Sequence, residues 1–225
     1  TLFNSLFVTV LATFGHLLSC SFVAYGFTRF NFPGKGILFA VVVLSIIVPV
    51  QTLSVPLYML YSRLNWIGTY NPLILPTFLG VGLSGGIFIF LFRQYYLSLP
   101  ASLEEAAAID GASEFRVFRS IVLPLSKAGL ATIALFVMVG KWNEWFTGML
   151  YIENPKLTRI QQKLDFIKNN SDYASTPDGQ RLLMSMPTEQ TRMAILVVST
   201  LPIIFAYPFF QRFFIQGLTV GSVKG

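Results

Sequence analysis

Residues 6–27 read LFVTVLATFGHLLSCSFVAYGF, an apolar run without Asp, Glu, Lys or Arg. A helix needs about 20 such residues to cross the hydrocarbon core of a bilayer. Because lipid offers the backbone no hydrogen-bond partner, a segment of this kind must satisfy its own amides and carbonyls as a helix. The run therefore predicts a transmembrane helix.

Four further long apolar segments predict transmembrane helices in the same way. They cover residues 37–61, 73–92, 128–150 and 193–214. Hydrophobic residues make up 54% of the chain and charged residues only 12%, whereas soluble domains carry about 25% charged residues. We therefore predict an all-α protein, a polytopic bundle of five transmembrane helices in a single domain over residues 1–225.

The composition also argues against several function classes. The net charge is +6, but the 16 Lys and Arg residues are scattered between apolar segments rather than gathered in a basic stripe, so we expect no nucleic-acid partner. No cluster of Cys and His has the spacing of metal ligands, and no nucleophile has a base placed beside it. We expect no catalytic residue, no metal site and no cofactor in this chain, which is then not itself an enzyme.

Helix-breaking residues interrupt some of the predicted spans. Pro49 and Pro56 fall in the second span, and Pro76 precedes a glycine cluster at residues 80–86 in the third. Irregular backbone at membrane depth is tolerated where it packs on protein or lines a cavity. Small residues also permit close helix packing, and the sequence leaves both interpretations open.

The loop at residues 93–127 carries the most informative pattern. Ser102 and Glu105 have the spacing of a capping box, which predicts that a helix begins there. The alanines at 106–108 favour the helix, and Gly111 favours the left-handed turn that often ends one. A second short helix is predicted with Ser113 as its N-cap, until Pro124 interrupts it. The two helices would form a protruding elbow, residues 102–124.

The elbow contains a spaced set of residues that resembles a known signature. These residues are Glu105-Ala106-Ala107, then Gly111, then Ile121, and finally Leu123-Pro124. The set resembles the cytoplasmic signature of the inner-membrane permeases of binding-protein-dependent ABC importers. It matches at every signature position.

The resemblance implies a multi-subunit complex in the bacterial cytoplasmic (inner) membrane. Its partners would be a second permease subunit, two ATPase subunits that bind ATP and Mg, an extracytoplasmic solute-binding protein and membrane lipid. The elbow would be a cytoplasmic coupling helix held in a cleft of the ATPase. Glu104 and Glu105 would anchor on basic groups of the ATPase, Ala106 and Ala107 would allow close approach, and Gly111 would supply the turn.

Other stretches look like the maltose-type sugar permeases. They are residues 4–6, 32–35 and 217–225, which read NSL, FPGK and GLTVGSVKG. The resemblance implies a carbohydrate substrate. The ending at residues 193–225 looks most like the branch that handles oligosaccharides or polysaccharide fragments, including uronate-containing ones. Such permeases carry one more helix before the NSL start, so we expect an N-terminal helix to be missing from this chain.

The stretch 141–145, KWNEW, places ionisable groups inside the fourth predicted span. Such groups are costly in lipid and usually face a cavity or a partner. Asn143, Glu144 and Trp145 combine hydrogen-bonding groups with a stacking face, so we expect them to line a translocation path for sugar. The alternative is an interfacial aromatic belt with a local ion pair. Gln51 is a further candidate for the path, although an interhelical contact would explain it equally well.

Two loops fix the predicted topology. We expect residues 93–127 to be cytoplasmic and residues 151–191 to be extracytoplasmic, where they would help to dock the binding protein. An ABC permease for a non-sugar solute would carry the same elbow. An ion-coupled secondary transporter would need coupling carboxylates within its spans and no elbow, and a non-transporting scaffold would leave the elbow unexplained.

Overall fold

The computed structural model describes residues 1–81, 85–162, 193–194 and 196–209, and its regular elements in these ranges are all helical. The α-helices are α1 (Leu2–Arg29), α2 (Lys35–Ile47), α3 (Ser54–Arg63), α4 (Asn71–Phe78), α5 (Gly85–Leu97), α6 (Ser102–Ile109), α7 (Glu114–Val117), α8 (Leu123–Leu125), α9 (Lys127–Asn143), α10 (Phe146–Tyr151) and α11 (Leu196–Phe209). Short 3-10 turns lie at Val50–Leu53 and Pro155–Leu157, and a π turn lies at Phe118–Val122.

Helix α1 is the centre of the bundle. It contains the whole predicted span 6–27, and α4, α5 and α9 all pack against it. Its buried face carries small residues such as Ala12, Cys20 and Ala24. Small side chains let neighbouring helices approach closely, so one helix can serve as the common packing partner of three others.

The predicted span over residues 37–61 is not one continuous helix, and its prolines indicate such an interruption. Helices α2 and α3 are separated by the first 3-10 turn, and the chain bends by 97° between Lys35–Ile47 and Gln51–Arg63. The bend begins at Val48, whose backbone is extended (φ −71°, ψ 118°). The cause is Pro49, because a residue that precedes proline is disfavoured in the helical conformation.

The predicted span 73–92 is also two helices rather than one. Helix α4 ends at Phe78, and Gly80 then adopts a left-handed conformation (φ 68°). The backbone of Gly80 lies so close to Gly85 that a Cβ added at Gly85 would meet the Gly80 carbonyl carbon at 2.8 Å. Glycine is therefore required on both sides of this break. Gly82 of the predicted cluster lies outside the described residues.

The predicted span 128–150 is divided between α9 and α10. The helical path stops at Glu144, which is extended (φ −71°, ψ 110°), and resumes at Phe146. Of the predicted span 193–214, the structure describes α11, and residues 210–214 lie outside the described residues. In the part of the chain that is described, α1 alone is long and apolar enough to cross a membrane as a single helix.

Two bent pairs of helices are each long and apolar enough to cross a membrane if the pair is counted as one span. They are Lys35–Ile47 with Gln51–Arg63, and Glu114–Leu125 with Lys127–Asn143, which meet at 79°.

The two ends of α1 contact different parts of the chain. Near its start, Asn4 donates to the carbonyl of Lys156 at 2.8 Å, and the Ser5 hydroxyl accepts from the Ile160 amide at 2.8 Å. Near its end, Arg29 donates to Glu104 of the elbow. A helix of 28 residues is about 42 Å long, which exceeds the roughly 30 Å of a hydrocarbon core. The elbow and residues 151–162 therefore lie at opposite ends of α1.

Gly15 lies where α1 packs against α4 and provides a test of the packing. A Cβ at Gly15 would lie 2.8 Å from the Phe78 ring, whereas a Cβ at Gly26 would meet nothing within 4 Å. We expect Gly15→Ala to lower the free energy of unfolding by about 1–3 kcal/mol. Gly26→Ala should be neutral or stabilising by up to about 1 kcal/mol, since it improves helix propensity. The measurement is the melting temperature in detergent, and equal melting temperatures for both variants would contradict this packing.

Candidate functional site

Helix α6, the first arm of the elbow, begins one residue earlier than a capping box would allow. The N-cap is Ala101, whose carbonyl accepts from the amides of Glu104 and Glu105, both at 3.0 Å. Ala101 is already in the helical region (φ −66°, ψ −26°), so Ser102 lies within the helix rather than in the extended conformation of an N-cap. The predicted capping box is therefore wrong, while the predicted helix and its acidic first turn are present.

The end of α6 agrees with the sequence prediction. Gly111 has φ 78°, which confirms the predicted left-handed turn. The Ala112 amide donates to the Ala107 carbonyl at 3.0 Å, and the Gly111 amide donates to the Ala108 carbonyl at 3.0 Å. This pair of bonds is a Schellman motif, which satisfies carbonyls that the end of a helix leaves free.

The second arm of the elbow continues further than predicted. Ser113 caps α7 by accepting from the Arg116 amide at 3.4 Å, as the sequence predicts. The chain then passes through the π turn into α8, which contains Pro124 and ends at Leu125. Pro124 does not interrupt the helix, because the wider π turn before it accommodates a residue without an N–H. Ile121 and Leu123 pack against the core.

Helix α6 presents one side to the bundle and the other to its surroundings. Ala107 packs against the core, and Glu104 is mostly buried. On the other side, Glu105 and Ala106 are exposed, and Ile109 is 87% exposed. The exposed side of α6 therefore combines the carboxylate of Glu105 with the apolar side chain of Ile109.

The elbow is held by long-range contacts that the sequence pattern does not predict. Arg29 Nε donates to Glu104 Oε2 at 2.9 Å, and a second contact joins Arg29 Nη2 to Glu104 Oε1. One turn earlier on α1, the Tyr25 hydroxyl donates to Glu114 Oε2 at 3.2 Å. Both arms of the elbow are thus tied to the last turns of α1. The one sequence signal was an arginine that ends the first apolar segment.

Three of the four predicted path residues line a cavity of about 280 Å³ between α5, α9 and α10. Asn143, Glu144 and Trp145 all contribute to its wall, together with Phe88, Val137, Gly140, Lys141 and Phe146. Gln51 is not among the lining residues. It lies exposed on the first 3-10 turn, where its carbonyl accepts from Ser54 Oγ at 2.6 Å.

Charged side chains that are largely buried form one side of this cavity. Lys141 Nζ pairs with Glu144 Oε2 at 3.0 Å, and Glu144 Oε1 also accepts from the Thr147 hydroxyl. The Arg159 side chain, 1% exposed, donates to the Lys141 carbonyl. The local ion pair that the sequence offered as an alternative is therefore present, and it forms part of the cavity wall. Asn143 and Trp145 remain exposed, so their polar and aromatic faces are accessible.

The chain has many relatives among characterised bacterial proteins. Protein LplC of Bacillus subtilis (strain 168) is 36% identical over 222 residues, which are 98% of this chain and 72% of that protein. The polygalacturonan/rhamnogalacturonan transport system permease protein YtcP of the same organism is 34% identical over 226 residues, 100% of this chain and 77% of that protein. The arabinooligosaccharides transport system permease protein AraQ of Halalkalibacterium halodurans is 31% identical, covering 99% of this chain and 73% of that protein.

A solved structure has the same fold. It is the crystal structure of a bacterial ABC transporter involved in the import of the acidic polysaccharide alginate, and one chain of it superposes with a TM-score of 0.74. The two chains are 24% identical, and the match covers 94% of this chain and 73% of the other. This likeness confirms the predicted fold class, an all-α bundle.

Residues 17–220 match the family described as the binding-protein-dependent transport system inner membrane component. The matched range contains the entire elbow and the cavity-lining residues. It also extends from the middle of α1 almost to the end of the chain. The chain belongs to this family of inner-membrane transport components.

Proposed function

We propose that this chain is a permease subunit of an ATP-driven importer that moves oligosaccharides or polysaccharide fragments across the cytoplasmic membrane. It acts with a second permease subunit, two ATPase subunits that hydrolyse ATP, and an extracytoplasmic solute-binding protein. The observation that carries the proposal is the elbow, whose outer side is exposed and combines the carboxylate of Glu105 with the apolar side chain of Ile109, while its inner side is fixed to the bundle. A surface of this kind suits a partner that must both bind the permease and move it.

The anchoring roles of the two glutamates differ in this proposal. Glu105 is exposed in the first turn of α6 and is free to meet a basic group of the ATPase. Glu104 is engaged with Arg29 inside the chain. Ala106 lies on the exposed side, where its small side chain permits close approach.

The cavity supports a carbohydrate substrate. Aromatic faces stack on sugar rings, and amide or carboxylate groups bind their hydroxyls, so Trp145, Asn143 and Glu144 supply suitable chemistry. The names of the relatives point in the same direction, since they include polygalacturonan/rhamnogalacturonan and arabinooligosaccharide permeases.

Residues 151–191 are proposed to face outward and contact the binding protein. The described part, up to residue 162, lies at the end of α1 opposite the elbow, which suits this placement. Residues 163–191 lie outside the described residues.

Reconstitution tests the proposal directly. The complex of both permeases and the ATPases is placed in vesicles with loaded binding protein, and uptake of labelled oligogalacturonate and arabino-oligosaccharide is measured with and without ATP. Glycine betaine serves as a non-sugar solute. ATP-dependent uptake of an oligosaccharide supports the proposal. Uptake of the non-sugar solute alone, or uptake driven by an ion gradient without ATP, would refute it.

Gly111 provides the first prediction for the elbow. Valine at this position would be forced into a left-handed conformation at a cost of about 1–2 kcal/mol. Asparagine tolerates this conformation and is the matched control. We expect Gly111→Val to reduce both ATPase stimulation by loaded binding protein and sugar uptake, whereas Gly111→Asn should retain both. Normal activity of the valine variant would show that the turn has no part in coupling.

The cavity provides a further prediction. Asn143→Ala and Trp145→Ala each remove a lining group and should weaken sugar recognition by about 1–2 kcal/mol, roughly tenfold in KM for uptake. Met149→Ala is the control, since Met149 is 64% exposed and does not line the cavity. Co-purification of the ATPase checks that assembly is unchanged. If all three variants transport like the wild type, residues 143–145 are an interfacial belt.

A further inference from the structure

Arg29 connects three helices at one end of the bundle. It belongs to the last turn of α1, pairs with Glu104 of α6, and its Nη2 donates to the Tyr96 carbonyl near the end of α5 at 3.2 Å. The side chains of Arg29 and Glu104 are only 18% and 12% exposed. A two-pronged arginine–carboxylate pair has a fixed orientation as well as attraction, so it holds α6 in one direction relative to α1.

The positions of both charges along their helices reinforce the pair. Arg29 lies in the last turn of α1, and Glu104 lies in the first turn of α6. A cation is favourable at the carboxyl end of a helix and an anion at the amino end, because each opposes the helix dipole. Reversing either charge would therefore break the pair and also oppose a helix dipole.

A second contact extends the attachment to the other arm of the elbow. Tyr25 lies one helical turn before Arg29 and donates to Glu114 of α7 at 3.2 Å. Tyr25 is also packed against Phe118, with ring centroids 4.9 Å apart. The last two turns of α1 thus contact α6, α7 and the π turn.

The opposite end of α1 is attached as firmly. Asn4 and Ser5 form hydrogen bonds with the backbone of residues 156–160. This attachment is about 40 Å from the Arg29 end of the helix. Between these ends α1 is a continuous helix packed against α4, α5 and α9. A movement of the elbow that carries α1 would therefore reach the other face of the protein.

We propose that Arg29 is a positioning residue for transport. Its ion pair with Glu104 fixes the coupling helix α6 on the end of α1, so that the elbow and α1 move together when the partner ATPase moves the elbow. The inference rests on the proposed function, because it assigns the mechanical connection within an ATP-driven permease.

The test is a double-mutant cycle in reconstituted vesicles. The variants are Arg29→Gln, Glu104→Gln and the double variant, with Lys35→Gln as a matched control. Lys35 lies just beyond the same end of α1, and among the described residues its Nζ donates to the Phe30 carbonyl alone, at 2.8 Å. The readouts are ATP hydrolysis, sugar taken up per ATP hydrolysed, and the amount of ATPase that co-purifies.

We expect each single variant to retain the ATPase and to hydrolyse ATP, but to take up about fivefold less sugar per ATP or lower still. The double variant should be no worse than the worse single one, because both changes remove the same interaction. Lys35→Gln should match the wild type. If Arg29→Gln does not assemble, Arg29→Lys replaces it. That variant keeps the charge but loses the two-pronged geometry, so a smaller loss is expected.

Two results would overturn the inference. One is an unchanged ratio of sugar to ATP in the Arg29 and Glu104 variants. The other is losses that multiply in the double variant, which would mean that Glu104 acts on a separate partner. Failure of the proposed function is distinguishable, because the wild type itself would then show no ATP-dependent uptake.

Discussion

The backbone at the break between α4 and α5 lies against α1, whose buried side chains add hydrogen-bond donors to carbonyls on both sides of the break. Ser19 donates to the Thr77 carbonyl at 2.7 Å, and the thiol of Cys20 lies 3.7 Å from the Gly85 carbonyl. These adjacent residues of α1 therefore serve both sides of the break. Because α1 is unbroken over its 28 residues, it gives its shorter neighbours α4, α5 and α9 one continuous surface to pack against.

Composition and apolar length were sufficient to predict the fold class, because lipid permits so few backbone solutions. The prolines and glycines indicated where the spans are interrupted. They did not predict how the chain continues after each break, since that depends on what packs beside it. Gly111 was predictable because a left-handed turn is a local property. The capping box failed by one residue because Ala101, with no capping side chain, extended the helix.

The contacts that the sequence could not reveal are the long-range ones. Arg29 and Glu104 are far apart in the chain, and a local pattern carries no information about such a pair. The same holds for Arg159, which contacts the Lys141 carbonyl beside the cavity. The stretch 141–145 was correctly identified as polar residues in an apolar setting. The tertiary structure was needed to show that this stretch has an inner ion pair and an exposed amide and indole.

The π turn at Phe118–Val122 relates the spacing of the signature residues to the rotation of the elbow about the helix axis. A π turn holds one more residue than an α turn, and each residue of an α-helix corresponds to about 100° of rotation. The nine residues between Gly111 and Ile121 therefore determine the angle at which the elbow meets α9. Loss of one residue within the π turn would leave a regular helix of nearly the same orientation, whereas loss of one residue from a regular helical turn would rotate the elbow by about 100°. The π turn is consequently the part of the spacer where the number of residues affects the angle of the elbow least.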